Sequence, residues 1–407
     1  MSEPITALVS AGYSEGHAFP ALALSRELAR RGHDVTVELS ERWREVAEPM
    51  GLGFIAARDY VLPGAAPDGA GEPTAVEVAR ELAPRIEELG ADVVISDLVA
   101  PAPALAAEVA GVPSASLIPT LFPVQGAGLP PWADGLVAPR TPLGAAAWRA
   151  AEPALRPLRP SARWLRRVPE LLGEARAQLG LPPLDPDRPV TTYGTVSDGL
   201  ALVATFPQLE YPRAWPAGTH VTGPMLFELP HPDVELPPGD DPLVLVASST
   251  VHDPGGELIR AALAALESEP VRVLATINSR GENWRGLVPD NAAVVDWLSY
   301  DQVMPAAALV VTTGGHGTVA RSLAAGRPVL VWPVGADTAE NGARVTWAGA
   351  GLSVPTRLQG LRALRSVVGR LLGDPGFGAR AAEIAAWARD NDGAVRGADL
   401  VEGYALR

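Results

Sequence analysis

One stretch near the C-terminus constrains the fold of this chain more than any other, because it combines two short apolar runs with a glycine turn. The first run is short and β-branched, as is typical of a parallel strand covered on both faces. Gly314, Gly315 and Gly317 follow it where a helical pattern starts, so several backbone N–H groups can point at one spot. A helix N-terminus of this kind is a predicted anion site. The strand, glycine turn, helix and second strand are predicted at 309–312, 313–317, 318–325 and 328–334.

The same alternation of strands and helices occupies both halves of the 407-residue chain. Such alternation predicts parallel sheets, and the length of the chain predicts two domains. We therefore predict an α/β protein with two doubly wound, Rossmann-like domains that face each other across a cleft. The predicted parts are an N-terminal domain at 1–226, a proline-rich linker at 227–241, and a C-terminal domain at 242–407 whose last helix, near 394–404, can pack back on the first domain.

Composition excludes several classes of function. A net charge of −14 argues against nucleic-acid binding, which needs a basic face. All 33 basic residues are arginine, which excludes chemistry that depends on a lysine amine. With no cysteine and no histidine pair at helical spacing, we expect no disulfide and no metal site. No apolar run approaches the roughly 20 residues of a membrane span, and the acidic N-terminus lacks signal-peptide character, so we expect a soluble cytoplasmic protein.

Two titratable residues stand at the predicted ends of strands in the first half. His17 follows the first strand in the sequence GHAFP, and Asp97 ends a later strand in VVISD. Ligands of open α/β sheets bind at these strand ends, where a histidine can act as a general base. A carboxylate beside it would fix the tautomer and stabilise the imidazolium. The alternative interpretation is that each residue caps the helix that follows it.

The stretch TTGGHGTVARSLAAGRPVLVWPVGADTAEN, with GHAFP upstream, resembles the donor-binding signature of inverting GT-B glycosyltransferases of the macrolide and plant UDP-sugar type. The resemblance implies a metal-independent enzyme with no cofactor beyond its nucleotide-sugar co-substrate. It implies that His17 is the general base, that Asp97 supports it, and that the glycine turn receives the diphosphate. The donor contacts that it implies are Ser249, Thr250, Trp297, Leu298, Thr313, Gly315, His316, Gly317, Thr318, Asp337, Thr338 and Asn341.

Within that resemblance, Trp297 would stack on the nucleobase and Leu298 would offer backbone to its edge. Two positions depart from the family pattern. Thr313 stands where a phosphate-binding histidine is usual, with His316 nearby to compensate, and Thr338 replaces a sugar-binding glutamine. The shorter Thr338 side chain indicates a deoxysugar or an unusual hexose, carried by dTDP or UDP.

The resemblance assigns the acceptor to the N-terminal domain. Residues 120–160 are rich in Pro, Gly and Trp and lack periodicity, which indicates a lid or a pocket lining. We expect a small lipophilic natural-product acceptor, with the O-, N- or C-linkage open, and a monomer or homodimer. The residues expected to contact the acceptor are Phe19, Ile118, Phe122 and Trp132.

Two other functions fit parts of the sequence. The spacing Gly315-x-Gly317-x-x-Ala320, with Asp337 about 20 residues further on, fits the fingerprint of an NAD(P)-dependent oxidoreductase. The two departures, at Thr313 and Thr338, would also fit a catalytically inactive helper protein with the same fold.

Overall fold

The computed structural model describes residues 3–62, 73–124, 126, 128–155, 161–185, 188–189, 191, 194, 196–231, 233–248, 253, 256–277, 286–335 and 337–406. These residues form two parallel sheets with helices packed on their faces. The predicted pair of doubly wound domains is therefore confirmed.

The first sheet has seven strands in the order β3-β2-β1-β4-β5-β6-β7, all parallel. Its strands are β1 Thr6–Ser10, β2 Asp34–Leu39, β3 Gly53–Ala56, β4 Val93–Asp97, β5 Ser114–Ile118, β6 Ala201–Val203 and β7 Thr219–Val221.

The second sheet has six strands in the order β10-β9-β8-β11-β12-β13, again all parallel. Its strands are β8 Leu243–Ala247, β9 Arg272–Thr276, β10 Ala292–Val295, β11 Leu309–Thr312, β12 Val329–Val331 and β13 Gly351–Ser353.

Helices connect these strands and cover both faces of each sheet. They are α1 Glu15–Arg30, α2 Arg44–Ala47, α3 Ala75–Leu89, α4 Pro101–Ala110, α5 Pro142–Leu155, α6 Ser161–Gln178, α7 Glu257–Leu266, α8 Tyr300–Val303, α9 His316–Ala324, α10 Asp337–Ala348, α11 Leu361–Gly373, α12 Pro375–Asp390 and α13 Gly393–Ala405.

The strand order reverses once in each sheet, between β1 and β4 and between β8 and β11. Helices leave opposite faces of the sheet at such a switch point, which opens a crevice beyond the carboxyl ends of the strands. The two crevices lie in the two different domains.

Local boundaries differ from the predictions in two places. Helix α9 starts at His316, two residues before the predicted start, because the N–H of Val319 already bonds to the carbonyl of Gly315. The segment 120–160 is not wholly irregular, because α5 occupies Pro142–Leu155. Proline is tolerated at the first position of a helix, where its missing N–H would have no intrahelical partner.

The last helix, α13, packs on α1 in the first domain. Its Ala394, Ala398 and Val401 are buried in the same apolar cluster as β1. On its outer side, Arg31 of α1 forms an ion pair with Asp399, with 2.7 Å between Nη1 and Oδ1. The chain thus returns to the N-terminal domain after completing the second one.

No helix in the described ranges combines the length and the low charge that crossing a membrane requires.

Candidate active site

His17 and Asp97 meet at the switch point of the first sheet. His17 lies in the first turn of α1, and Asp97 is the last residue of β4, whose Ser96 pairs with Ser10 of β1. The His17 Nδ1 atom is 2.8 Å from Asp97 Oδ2, while the other carboxylate oxygen accepts a hydrogen bond from the N–H of Val99 at 2.9 Å. This arrangement makes Nδ1 the protonated nitrogen and leaves Nε2 with a lone pair for a substrate proton.

The two side chains of the pair differ in their exposure to solvent. The Asp97 side chain is fully buried, whereas 29% of the His17 side chain is exposed. Burial acts to lower the pKa of His17, but the charge and hydrogen bond of Asp97, helped by the charge of Asp337, leave that pKa raised. Asp337 belongs to the second domain, so part of the rise in the pKa of His17 comes from a carboxylate across the interdomain cleft.

Gly12 separates His17 from Val99 and has to be small. A Cβ at this position would lie 2.9 Å from Cγ2 of Val99 and 3.4 Å from Cγ of His17. A larger residue would therefore clash with Val99, whose N–H donates to Asp97, while its Cβ would only touch the His17 ring.

The glycine turn lies at the switch point of the second sheet, between β11 and α9. Gly314 has φ +97°, and a Cβ there would lie 2.8 Å from the carbonyl oxygen of Thr338. Gly315 and Gly317 are different, because a Cβ at either would meet no protein atom within 4 Å. The space above the start of α9 is therefore open, and the first-turn N–H groups have room for a bound anion.

His316 is held by Asn341 beneath this turn. The Asn341 Nδ2 donates to the carbonyl of Gly314 at 2.9 Å, and its Oδ1 lies 2.9 Å from His316 Nδ1. Both side chains are buried, and burial lowers the pKa of His316. In this neutral tautomer Nε2 offers a lone pair and no N–H, so the expected phosphate contact from His316 would require protonation.

Thr338 and Asn341, both expected to contact the donor, have their polar groups hydrogen-bonded within the protein. Both polar atoms of the Asn341 side chain are already hydrogen-bonded, one to the Gly314 carbonyl and the other to His316. Thr338 is also buried, and its hydroxyl accepts from the N–H groups of Val334 and Gly335 and donates to the Gly335 carbonyl. Both residues shape the loop, and Asp337 is the partly exposed polar residue beside them.

A cleft of about 290 Å³ lies between the domains and joins these parts. Thr313, Gly315, Gly317 and Thr318 line it beside the start of α9. Thr313 is almost completely buried and reaches the cleft from the end of β11. Ser249 and Thr250, which were expected to help here, lie outside the described residues.

Trp297 and Leu298 line the far end of the same cleft. Trp297 is 37% exposed, and the ring of His231 stacks on it with 5.5 Å between centroids and 15° between planes. Leu298 is buried against the second sheet, so only its backbone is suited to contact a ligand. His231 comes from the connection between the two sheets, and no pattern in the sequence had marked it.

Arg321 fixes that connection to α9. Its guanidinium lies 3.4 Å from Oε2 of Glu228 and 3.2 Å from Oδ1 of Asp301, and it also donates to the carbonyl of Phe227. Glu228 in turn accepts from the N–H groups that open α8. These contacts hold one wall of the cleft in place.

Three of the four expected acceptor residues are core residues. Ile118 and Phe122 are fully buried in an apolar cluster of the first domain, and Phe122 packs on Trp215. Trp132 is buried in the cluster that joins the domains. The burial of these three side chains argues against the expected contact with an acceptor. Phe19 alone is partly exposed, and it lines the cleft.

The dinucleotide fingerprint also does not fit. It requires an acidic residue at the end of the second strand, which here is β12, ending at Val331. Asp337 instead begins α10. In the part of the chain that the structure describes, there is no group of three or more His, Asp or Glu side chains placed to hold a metal ion.

Comparisons with known proteins agree with this architecture. Residues 257–391 match the family described as erythromycin biosynthesis protein CIII-like, C-terminal domain. The chain is 28% identical to 4'-demethylrebeccamycin synthase of Lentzea aerocolonigenes, over 97% of this chain and 98% of that protein. It is 29% identical to O-mycaminosyltylonolide 6-deoxyallosyltransferase of Streptomyces fradiae, over 98% of this chain and 97% of the relative.

Solved structures show the same fold over the whole chain. The glycotransferase of kitacinnamycin superposes with a TM-score of 0.76 at 23% identity, covering 99% of this chain and 100% of the other. The glycosyltransferase VinC in complex with dTDP superposes with a TM-score of 0.69 at 18% identity, covering 99% and 100%. The two facing sheets, the matched C-terminal family and the full-length relatives together show that this chain has the GT-B fold and is similar over its whole length to glycosyltransferases of natural-product pathways.

Proposed function

We propose that this protein transfers a hexose or deoxyhexose from a dTDP- or UDP-linked donor to a small lipophilic acceptor, with inversion at the anomeric carbon and no metal. The observation that carries the proposal is the His17–Asp97 pair at one switch point, with the open glycine turn at the other and a cleft between the domains. Two structural neighbours are complexes with dTDP or thymidine diphosphate, which supports dTDP as the donor nucleotide.

In the proposed reaction, His17 Nε2 takes the proton of the acceptor as the acceptor attacks the anomeric carbon. The bond from that carbon to the diphosphate oxygen breaks, and the nucleoside diphosphate leaves with the electron pair. Asp97 stabilises the imidazolium that forms. The N–H groups at the start of α9 stabilise the charge that builds on the β-phosphate. A single displacement of this kind inverts the anomeric centre.

The test is calorimetric titration of the protein with dTDP, UDP, GDP and NAD, followed by measurement of nucleotide release from a dTDP-sugar. We expect binding of dTDP or UDP and no binding of NAD. Binding of NAD alone would overturn the proposal. Nucleotide binding without transfer to any acceptor and without donor hydrolysis would favour the inactive helper protein.

The pH dependence of transfer tests the role of the dyad. Because the neutral imidazole is the base and its pKa is raised, kcat/KM should rise with pH with a midpoint above the ordinary histidine value of about 6.5. Asp97→Asn removes the negative charge but leaves the burial, so the pKa of His17 falls and the midpoint moves to lower pH. The maximum rate should also fall. If the midpoint does not move in this variant, Asp97 does not influence the pKa of the catalytic base.

Trp297→Ala tests the nucleobase end of the cleft. Stacking on an aromatic ring contributes roughly 1–3 kcal/mol per base, so the Kd for dTDP should rise roughly 5- to 140-fold. The Kd for pyrophosphate, which has no base, should stay unchanged, and Trp297→Phe should recover most of the affinity. Equal losses for dTDP and pyrophosphate in Trp297→Ala would mean that the cleft had collapsed and that the base does not stack there.

A further inference from the structure

A second cavity, of about 260 Å³, opens at the carboxyl edge of the first sheet, where β1 and β2 end. Ser10, Gly12 and Val99 line the side nearest the dyad, and Glu38 and Tyr60 are among the other lining residues. The space is smaller than the roughly 300–1,000 Å³ that encloses a whole drug-sized ligand. It is therefore suited to one end of a ligand whose other end lies elsewhere.

Glu38 is a buried acid with one oxygen that lacks a hydrogen bond. Only 5% of the residue is exposed, and its Oε2 has no hydrogen-bond partner among the described residues. Burial raises the pKa of the Glu38 carboxyl, while the Ser10 hydroxyl and the distant charge of Arg85 act in the opposite direction. A buried polar atom left unpaired costs roughly 1–3 kcal/mol, which is a cost that native proteins rarely retain without a use for the atom.

The register of the sheet places Glu38 close to the catalytic pair. Glu38 pairs with Ser10, which pairs with Ser96, and Asp97 is the next residue of β4. Two strand spacings separate Glu38 from β4, about 10 Å in all. Tyr60 also lines the cavity, and burial together with the charges of Glu38 and Asp97 raises its pKa.

We propose that this cavity binds the far end of the acceptor, and that Glu38 hydrogen-bonds a hydroxyl or amide N–H there. This inference rests on the proposed function. The acceptor would then be a molecule with two polar ends, one reacting at His17 and the other held by Glu38, which lies two strand spacings from β4. The bound group pairs with the Glu38 carboxyl, while the apolar body of the acceptor spans the distance over Gly12.

A matched pair of probes tests the proposal. Naphthalene-2,7-diol carries a second hydroxyl where 7-methylnaphthalen-2-ol carries a methyl group of similar size. In calorimetric titrations of the dTDP-bound protein, we expect the diol to bind about tenfold more tightly, as one hydrogen bond to a buried acid provides. Glu38→Gln should keep this preference, because the amide can still pair with the hydroxyl. Glu38→Leu should abolish or reverse it.

Thr36→Val is the matched control, because Thr36 is buried on the same face of β2 two residues earlier and does not line the cavity. It should keep the preference of the unmodified protein. The proposal is overturned if Glu38→Leu keeps the preference for the diol, or if the unmodified protein shows none.

The outcomes for the two proposals can be told apart. A Glu38-dependent preference in a protein that transfers no sugar would refute the proposed function and leave the binding site standing. If the unmodified protein and Glu38→Leu both transfer sugar to the two probes with equal KM, the binding site is refuted. The proposed function is then unaffected. Unchanged dTDP affinity in each variant serves as the check that the fold is intact.

Discussion

Replacing His17 by alanine is expected to lower kcat/KM for sugar transfer by roughly 10²- to 10⁴-fold, the usual contribution of a positioned general base. The imidazole is the group at the first switch point that can accept the acceptor's proton, since Asp97 is fully buried and lies behind it. The Kd for dTDP should not change, because the glycine turn and Trp297 belong to the other domain. Steady-state transfer with a dTDP-sugar, together with calorimetric titration of dTDP, measures both quantities.

His220→Ala provides the control for this substitution. His220 is exposed on the edge strand β7 and lies away from the cleft, so its removal should change neither kcat/KM nor the Kd. The mechanism would be contradicted by a His17→Ala variant that keeps its turnover. A variant that loses dTDP binding as well would assign His17 a structural role in place of a catalytic one.

The sequence predicts the architecture and the position of the dyad well, because both depend on local patterns and on one rule of topology. Apolar runs of strand length alternate with amphipathic helices, which leaves parallel doubly wound sheets as the solution. Once β1 and β4 are neighbours, residues at their carboxyl ends meet, and so His17 and Asp97 lie 2.8 Å apart. The glycine turn follows from the same rule in the second sheet.

The use of each side chain is harder to predict. Ile118 and Phe122 are apolar and stand near a strand end, which suits a cleft as well as a core. Their burial is decided by segments far along the chain, such as Trp215, and sequence spacing does not show this. Thr338 and Asn341 have hydroxyl and amide groups suited to a sugar, but backbone groups within the same loop take those hydrogen bonds first.

Charged residues that meet across long sequence separations give no local signal at all. Glu38 occupies one position of a strand whose register with β1 decides its surroundings. Glu210 and Arg344 are 134 positions apart and belong to different domains. Such contacts become visible only when the two domains are assembled.

Arg344→Ala is expected to lower the free energy of unfolding by roughly 3–5 kcal/mol, which is the cost of removing one partner from a buried ion pair. Arg344 is 3% exposed. Its Nε lies 2.7 Å from Glu340 Oε1, and its Nη1 lies 2.9 Å from Glu210 Oε2 of the first domain. Its guanidinium also covers the ring of Tyr211 at 3.6 Å. Without Arg344, two buried carboxylates face each other at the domain interface.

Urea denaturation measures this loss, with Arg380→Ala as the control. Arg380 pairs with Glu383 at 2.6 Å on the surface, where an ion pair contributes about 1 kcal/mol or less. Replacing Arg344, Glu210 and Glu340 together by apolar residues of similar size should recover most of the stability, because no unpaired charge then remains. If Arg344→Ala costs no more than Arg380→Ala, the interface does not depend on this network.

The loss of stability in Arg344→Ala should also depend on pH, and the burial of Glu340 sets the direction of that dependence. Burial raises the pKa of Glu340 even with Arg344 present, and removal of the guanidinium takes away the charge that opposes this rise. A carboxyl whose folded-state pKa lies above its unfolded value binds its proton more tightly when folded. Stability is therefore gained as pH falls through that raised pKa. The deficit of Arg344→Ala should be largest in alkaline buffer and should shrink towards acidic pH, whereas a deficit caused by lost packing against Tyr211 would stay constant.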